Sequence, residues 1–290
     1  LSESGLSTQK RRYKKRKPLK KQEQVQEPNI QEVADVEAVP VEEQNVVFKP
    51  NVGPQTEFLA AGEREVLYGG SAGGGKSYAM LADPLRYMGH PSFSGLLLRH
   101  TTEELRELIF KSKEIYPQIW KGIKWSERKM QWEAPSGARL WMSYLDRDDD
   151  VLRYQGLAFS WIGFDELTQW STPYAWNYMR SRLRSVAQDL PVYMRATTNP
   201  GGPGHQWVKK MFIDPAPYGR QFDATDIESG NVLSYPKGHS KAGQALFKRR
   251  FIPARLSDNP YLSAQGDYEA MLLSLPEHQR KQLLEGDWDI

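Results

Sequence analysis

The chain has 290 residues, which is enough for one large domain or two modest ones with an ample core. It contains no cysteine, which excludes disulfides and thiolate metal sites, and its net charge of +3 gives no global argument for nucleic-acid binding. No apolar run approaches the length of a membrane span and the N-terminus lacks the apolar core of a signal peptide, so we expect no membrane partner.

Residues 1–48 differ from the rest of the chain in composition. A basic block at 10–21 is followed by an acidic stretch at 22–47 that has no lysine or arginine. Neither part has enough aromatic or branched residues to bury a face, so we expect a disordered, charged N-terminal arm. The basic block either contacts a nucleic-acid backbone or is a solvated tail, and the sequence leaves both open.

A glycine-rich loop follows a short apolar strand that begins at Glu65, and a helix is expected after it. The loop matches GxxxxGK[ST], in which backbone N–H groups face phosphates, the lysine reaches the β- and γ-phosphates, and the hydroxyl ligates Mg²⁺. The predicted nucleotide-binding residues are Gly70, Ser71, Ala72, Gly73, Gly74, Gly75, Lys76 and Ser77. Gln55, just ahead of the strand, is a candidate for binding the adenine edge through its amide, although a helix N-terminus explains a Pro-Gln pair equally well.

Two further apolar segments end in polar residues. The first, at 161–164, is followed by Asp165 and Glu166, and the second, at 191–196, by Thr197, Thr198 and Asn199. Strands of an open α/β sheet present such residues at their carboxyl edge, where ligands bind. We predict that Asp165 holds Mg²⁺ through water and that Glu166 polarises the attacking water. The Thr-Thr-Asn stretch either senses the γ-phosphate or caps the strand.

The remaining elements complete an α/β pattern. A buried strand is predicted at 95–99, a helix capped by Thr101 or Thr102 after it, and a hairpin around 135–137 whose tryptophans pack across strands. Another strand is expected at 251–256 and helix at 264–284, interrupted near Pro276. We therefore predict a mostly parallel sheet flanked by helices, with an ATPase core at 49–214 and a small C-terminal lid subdomain at 215–290.

Taken together, these motifs resemble the large subunit of tailed-phage terminases, the motors that package DNA into procapsids. The resemblance covers roughly residues 50–290 and depends on the glycine-rich loop, Asp165-Glu166, the stretch at 196–200 and the ending at 283–288. It implies a P-loop ATPase that hydrolyses Mg²⁺-ATP to translocate double-stranded DNA. Lys76 and Glu166 would be catalytic, Ser77 and Asp165 would bind the metal, and Thr197, Thr198 and Asn199 would couple hydrolysis to movement.

The resemblance also implies partners. Family members work as a homo-oligomeric ring, commonly of five subunits, with the portal protein, the small terminase subunit and duplex DNA. We expect the host cell cytoplasm, and transiently the portal vertex of the procapsid, as the location. Such rings need an arginine to neutralise charge on the γ-phosphoryl group, for which Arg153 is the first candidate, with Arg147 and Arg99 as alternatives and a surface salt bridge as the simpler explanation of each.

Complete family members carry a second, nuclease domain with clustered acids, which these 290 residues do not supply. We therefore expect an ATPase domain that does not cut DNA by itself. Two other hypotheses remain: a helicase-like or recombination ATPase acting on single strands, whose further signatures we do not find, and a nucleotide-gated scaffold that does not hydrolyse ATP. Glu166 beside Asp165 argues against the scaffold, because a switch needs no activated water.

Overall fold

One sheet positions most of the candidate site residues. The computed structural model describes residues 48–264 and 266–290. Within them, one sheet contains nine strands: β1 (Glu65–Gly70), β2 (Ser94–Arg99), β3 (Lys124–Ser126), β4 (Gln131–Glu133), β5 (Arg139–Tyr144), β6 (Trp161–Asp165), β7 (Tyr193–Thr198), β8 (Gln221–Asp223) and β9 (Lys248–Ala254). The strand order is β3-β4-β5-β2-β6-β7-β1-β9-β8, and the six strands from β5 to β9 are parallel to one another. The short strands β3, β4 and β8 add antiparallel edges.

Helices cover both faces of this sheet. They are α1 (Pro54–Ala60), α2 (Lys76–Ala82), α3 (Thr102–Ile119), α4 (Tyr174–Arg180), α5 (His205–Val208), α6 (Pro260–Ser263), α7 (Asp267–Leu273) and α8 (Glu277–Arg280). Short 3₁₀ turns lie at Asp83–Tyr87, Asp148–Tyr154, Leu167–Gln169 and Leu256–Asp258, and π turns at Lys209–Ile213 and Lys281–Glu285. None of the helices in the described ranges combines the length and the apolar character that crossing a bilayer requires.

Alternate residues of the central strands pack on the two faces of the sheet. In β2 and β6, Leu98 and Phe164 pack on one face with Trp170 and Trp176, while Leu97 and Trp161 pack on the other with α2 and α3. Because both faces are covered, the central strands are apolar almost throughout, as parallel strands usually are. The sequence therefore predicted β1, β2, β6 and β7 correctly as buried strands.

The local signals were also confirmed. Thr101 caps α3, and its side chain and that of Glu104 form a reciprocal capping box. The turn at 135–137 joins β4 to β5, and Trp125 lies opposite Trp132 across the β3–β4 pair with ring centroids 5.5 Å apart. Cross-strand packing accounts for these two rings, as predicted.

The predicted boundaries have different outcomes. The arm predicted for residues 1–48 lies outside the described residues except for Phe48. The predicted strand at 251–256 is β9, which begins and ends a few residues earlier and pairs with β1 from Arg249 to Ala254. The segment from residue 215 thus contributes to the central sheet, and the division into core and lid at residue 214 stays a prediction.

Candidate nucleotide site

The polar residues predicted from the sequence meet at one edge of the sheet. Strands β6, β7 and β1 are neighbours and parallel, so their carboxyl ends lie side by side. Thr197 of β7 stands opposite Asp165 of β6, and the next residue, Thr198, stands opposite Gly69 of β1. The loop that leaves β1 is therefore adjacent to the acidic pair and to the end of β7.

Side chains from outside the glycine-rich loop hold its carbonyl groups. The Tyr68 hydroxyl donates to the Gly74 carbonyl at 2.8 Å, and the Asn259 amide to the Gly73 carbonyl at 2.6 Å. The Gln55 amide donates to the Gly75 carbonyl at 2.9 Å. Within the described part of the chain, the N–H groups of Gly73, Gly74 and Gly75 have no acceptor. An anion-binding loop requires this arrangement, in which the carbonyl groups are bound by other side chains and the N–H groups remain available to donate to a ligand.

Two of the glycines are required by close approach. A Cβ on Gly70, at φ +140°, would lie 2.2 Å from the Ala254 carbonyl oxygen of β9. A Cβ on Gly75, at φ +75°, would lie 2.8 Å from Gln55 Nε2. Any other residue at either position would have to displace β9 or Gln55, and would also occupy a left-handed backbone conformation.

Lys76 begins α2 and joins the loop to β7. Its ammonium group donates to the Ser71 carbonyl and to Asn199 Oδ1, both at 2.7 Å. Burial lowers the pKa of Lys76, and the nearby Glu166 and Asp165 carboxylates oppose that shift. Ser77, the next residue of α2, is half-buried at the helix start.

Asp165 is fully buried and held on both sides. Thr197 Oγ1 donates to Asp165 Oδ1, while Arg99 Nη2, at the end of β2, lies 2.6 Å from Asp165 Oδ2. The contact with Arg99 is an ion pair rather than a well-directed hydrogen bond, because Asp165 Oδ2 has no hydrogen-bond partner within the described residues. A buried carboxylate oxygen with spare acceptor capacity is the kind of hard oxygen donor that suits Mg²⁺.

Glu166 turns back from the end of β6 in an unusual conformation. It lies in the left-handed region at φ +62°, which costs a residue with a side chain about 1–2 kcal/mol and requires support from its neighbours. Burial and the adjacent Asp165 raise the pKa of Glu166, while Lys76, Arg99 and a hydrogen bond from the Asn199 N–H act in the opposite direction. A carboxylate whose pKa is raised in a buried site is suited to accept a proton.

The candidate arginines occupy different environments. Arg99 is buried and contacts Asp165, as described above. Arg153 is more exposed: it forms an ion pair with Asp150 at 3.0 Å, and its guanidinium lies over the ring of Tyr144. The Arg147 N–H donates to Asp150 Oδ2 at the start of the same 3₁₀ turn. Within one chain, Arg99 is thus the candidate that contacts the acidic pair.

A cavity of about 430 Å³ opens beside Gly75. Its lining includes the amide side chains of Asn51, Gln55 and Asn259 and the rings of Tyr78 and Tyr261. Both polar groups of Gln55 already bind protein, since Gln55 Oε1 accepts from the Asn51 N–H at 2.7 Å and Nε2 donates to Gly75. Gln55 therefore connects the start of α1 to the glycine-rich loop, and an adenine contact would use its second N–H and second lone pair.

The C-terminal segment returns to the same loop. The Ala72 N–H donates to the Leu283 carbonyl at 2.6 Å, and a Cβ on Gly286 would lie 2.5 Å from the Ser71 nitrogen. Trp288 is buried and stacks on His205, with centroids 5.3 Å apart. The stretch at 283–288, singled out by the sequence, thus packs directly against the predicted phosphate loop.

The family model described as "Phage terminase large subunit" matches residues 63–243, more than half of the chain. This chain belongs to the phage terminase large subunit family. The resemblance found in the sequence is thereby confirmed. No curated protein sequence matches the chain.

Solved structures agree with this terminase fold. The large terminase of a thermophilic bacteriophage, in complex with ADP, is 16% identical, with a TM-score of 0.58 over 83% of this chain and 54% of that chain. The Thermus phage P74-26 large terminase ATPase domain is 14% identical, with a TM-score of 0.52 over 83% of this chain and 94% of that one. The present terminase chain therefore spans about half the length of the first protein and nearly all of the P74-26 domain. At these identities the likeness establishes the α/β fold of the P-loop type.

Sequence reasoning missed Thr168 and Asn259 of the terminase site, and it did not predict the contact that Leu283 makes there. Thr168 bonds to the end of β7, Asn259 holds the glycine-rich loop, and Leu283 accepts from it. Thr168 had a signal, since it follows the acidic pair by two residues. The other two act through contacts across 186 and 211 positions of sequence, which no local pattern reveals.

Proposed function

We propose that this chain is the ATPase motor domain of a terminase large subunit, which hydrolyses ATP to move double-stranded DNA into a procapsid. The observation that carries the proposal is the convergence of Lys76, Asp165 and Glu166 beside a loop in which the N–H groups of its three consecutive glycines, 73–75, have no acceptor in the described residues. The family match and the ADP and ATP-γ-S complexes of the thermophilic bacteriophage large terminase support it.

The residues have separate roles in this proposal. The N–H groups of the glycine-rich loop and the Lys76 ammonium bind the β- and γ-phosphates, and the cavity next to Gly75 takes the base. Ser77 and Asp165 would hold Mg²⁺, which neutralises charge on the transferred phosphoryl group when it is bound. Glu166 accepts the proton of the attacking water, and its raised pKa suits it to that task.

The end of β7 connects the two halves of the site. Asn199 bonds to Lys76 through its side chain, and its N–H acts to lower the pKa of the nearby Glu166. A phosphate that binds Lys76 would compete with Asn199 Oδ1 for the same ammonium protons. We therefore assign coupling of hydrolysis to movement to Thr197, Thr198 and Asn199.

The remaining assignments complete the motor. We propose that Arg153, being exposed, acts on the site of a neighbouring subunit in a homo-oligomeric ring, while Arg99 stays with Asp165 of its own subunit. The ring, of five subunits by family resemblance, would work in the host cell cytoplasm at the portal vertex, with the portal protein, the small terminase subunit and duplex DNA as partners.

ATP turnover with different DNA effectors tests this proposal. We expect wild-type protein at ring-forming concentration to hydrolyse ATP, and long duplex DNA to stimulate it more than short duplexes or single strands. Lys76→Ala should abolish turnover, while its far-UV circular dichroism stays that of the wild type. Stimulation by single strands alone would favour a helicase-like ATPase, and nucleotide binding without turnover would favour a scaffold.

A further inference from the structure

Thr168 links the turn that carries Glu166 to the end of β7. Its hydroxyl is buried, lies 2.7 Å from the Thr198 hydroxyl and donates to the Asn199 carbonyl at 3.1 Å. Its backbone is engaged as well, because its N–H donates to Thr198 Oγ1 at 3.2 Å and its carbonyl accepts from the Gly204 N–H at 2.7 Å. Four hydrogen bonds from one residue thus fix this turn against the loop after β7.

That loop also holds the two groups to which the proposed function assigns the chemistry. The Asn199 side chain accepts from the Lys76 ammonium at 2.7 Å, and the Asn199 N–H acts to lower the pKa of the nearby Glu166. Thr168 therefore connects the two sides of the site, because it fixes Asn199 relative to the turn from which Glu166 projects. Without the Thr168 hydroxyl, Asn199 would remain bound to Lys76, but its carbonyl would lose the bond to the turn that carries Glu166.

The conformation of Glu166 makes this attachment necessary. Glu166 occupies the left-handed region, which a residue with a Cβ adopts only when its surroundings impose it. The residues immediately after it, Leu167–Gln169, form a single 3₁₀ turn, too short to fix the side chain by itself. The support comes from Thr168 and its partners on the neighbouring strand.

We propose that Thr168 is a positioning residue that sets the Glu166 carboxylate against the γ-phosphate bound by Lys76. This inference depends on the proposed ATPase function and adds to it a residue that does not itself touch substrate. A buried threonine that merely fills space would affect folding but not the chemical step in particular.

The test compares Thr168→Val, Thr168→Ser and Thr172→Val. Valine keeps the shape of threonine without the hydroxyl, serine keeps the hydroxyl, and Thr172 is a nearby exposed threonine whose hydroxyl bonds to Asp148. We expect Thr168→Val to lower kcat by about 10- to 100-fold, because small misplacements of a catalytic group have effects of that size. KM and the Kd of a fluorescent ATP analogue should stay within about twofold of wild type. Thr168→Ser should restore most of kcat, and Thr172→Val should match the wild type.

A second measurement does not depend on turnover. Hydrogen exchange of the nucleotide-free protein should be faster at residues 199–204 in Thr168→Val than in the wild type, and unchanged there in Thr172→Val.

The results separate this inference from the proposed function. A wild-type ring that hydrolyses no ATP would overturn the proposed function and the inference with it. An active wild type with a Thr168→Val variant of equal kcat and unchanged exchange at 199–204 would overturn the inference alone. Equal losses of kcat, nucleotide affinity and melting temperature in Thr168→Val and Thr168→Ser would assign Thr168 to packing and also overturn it.

Discussion

Two buried ionic clusters lie at opposite ends of the central strands and are balanced differently. At the amino end of β1, both oxygens of Glu65 bond to arginines: Oε2 lies 2.7 Å from Arg249 Nε, and Oε1 accepts from Arg180. At the carboxyl end, Asp165 and Glu166 are adjacent carboxylates, and only Asp165 forms a direct ion pair, with Arg99. The first cluster pairs its carboxylate fully and stabilises the fold, while the carboxylates of the second can still accept bonds from a ligand.

The pKa values record this difference. Burial acts to raise the pKa of Glu65, but Arg249 and Arg180 outweigh it and hold the pKa below its ordinary value. At Glu166, burial and Asp165 outweigh Lys76 and Arg99, and the pKa is raised. Charge is thus satisfied where the sheet needs stability and left partly uncompensated where we propose chemistry, as expected of a functional site.

Among changes to the carboxylates of the two clusters, the largest effect is expected for Glu166→Gln. Loss of a general base typically lowers kcat by about 10²–10⁴-fold, and we expect ATP turnover to fall by that amount. The melting temperature should rise, because a neutral amide removes the unfavourable buried charge. Turnover assays and thermal unfolding on the same preparations would check both. Turnover close to wild type would remove Glu166 from the proposed chemistry.

Glu65→Gln should instead lower the stability of the protein. It leaves the buried Arg249 and the half-buried Arg180 without their counter-charge, and breaking a buried pair typically costs about 3–5 kcal/mol in free energy of unfolding. Urea denaturation is the measurement. Glu57→Gln is the matched control, because Glu57 pairs with Arg250 at the surface and should lose no more than about 1 kcal/mol. Equal losses in the two variants would show that burial of the Glu65 cluster carries no extra stability.

The pH dependence of stability should differ in sign between the clusters. The folded pKa of Glu65 is below the ordinary value of 4.5, so its contribution is full above that pH and is lost as the pH falls through the lower folded value. The folded pKa of Glu166 is above 4.5, so its contribution is full below that pH and is lost as the pH rises through the raised value. The stabilisation by Glu166→Gln should therefore vanish on acidification. The measurement is the melting temperature of the wild type and of both variants from about pH 3 to pH 8. If the stability differences of Glu65→Gln and Glu166→Gln from the wild type changed with pH in the same way, the prediction would be wrong.

The smallest effect on the single chain is expected for Arg153→Ala. Its pair with Asp150 is partly exposed, so the free energy of unfolding should change by less than about 1 kcal/mol. In the assembled ring, however, loss of an arginine acting in trans should lower turnover strongly, by about 10³-fold or more. Rings mixed from Arg153→Ala and Lys76→Ala subunits should regain activity at interfaces that combine one intact arginine with one intact site. Full activity of pure Arg153→Ala rings would instead assign Arg153 to a surface salt bridge.

The sequence predicted the parts of this site that are local. A glycine pattern, a pair of acids after an apolar run and a Thr-Thr-Asn ending each signal their role within about ten residues, and each lies at the predicted edge. The sequence did not predict which partners they take. Arg99 pairs with Asp165, Asn199 with Lys76 and Leu283 with Ala72 only because of the strand order and the path of the C-terminal segment. Contacts of that range depend on packing, which short patterns do not encode.

A structure of the chain with Mg²⁺ and a non-hydrolysable ATP analogue tests the central claim most directly. We expect the γ-phosphate against Lys76 Nζ in place of Asn199 Oδ1, the metal ion beside Ser77 and Asp165, and the Glu166 carboxylate facing the γ-phosphate. A nucleotide bound elsewhere, or one whose phosphates leave the bond between Lys76 and Asn199 intact and the acidic pair remote, would contradict the account.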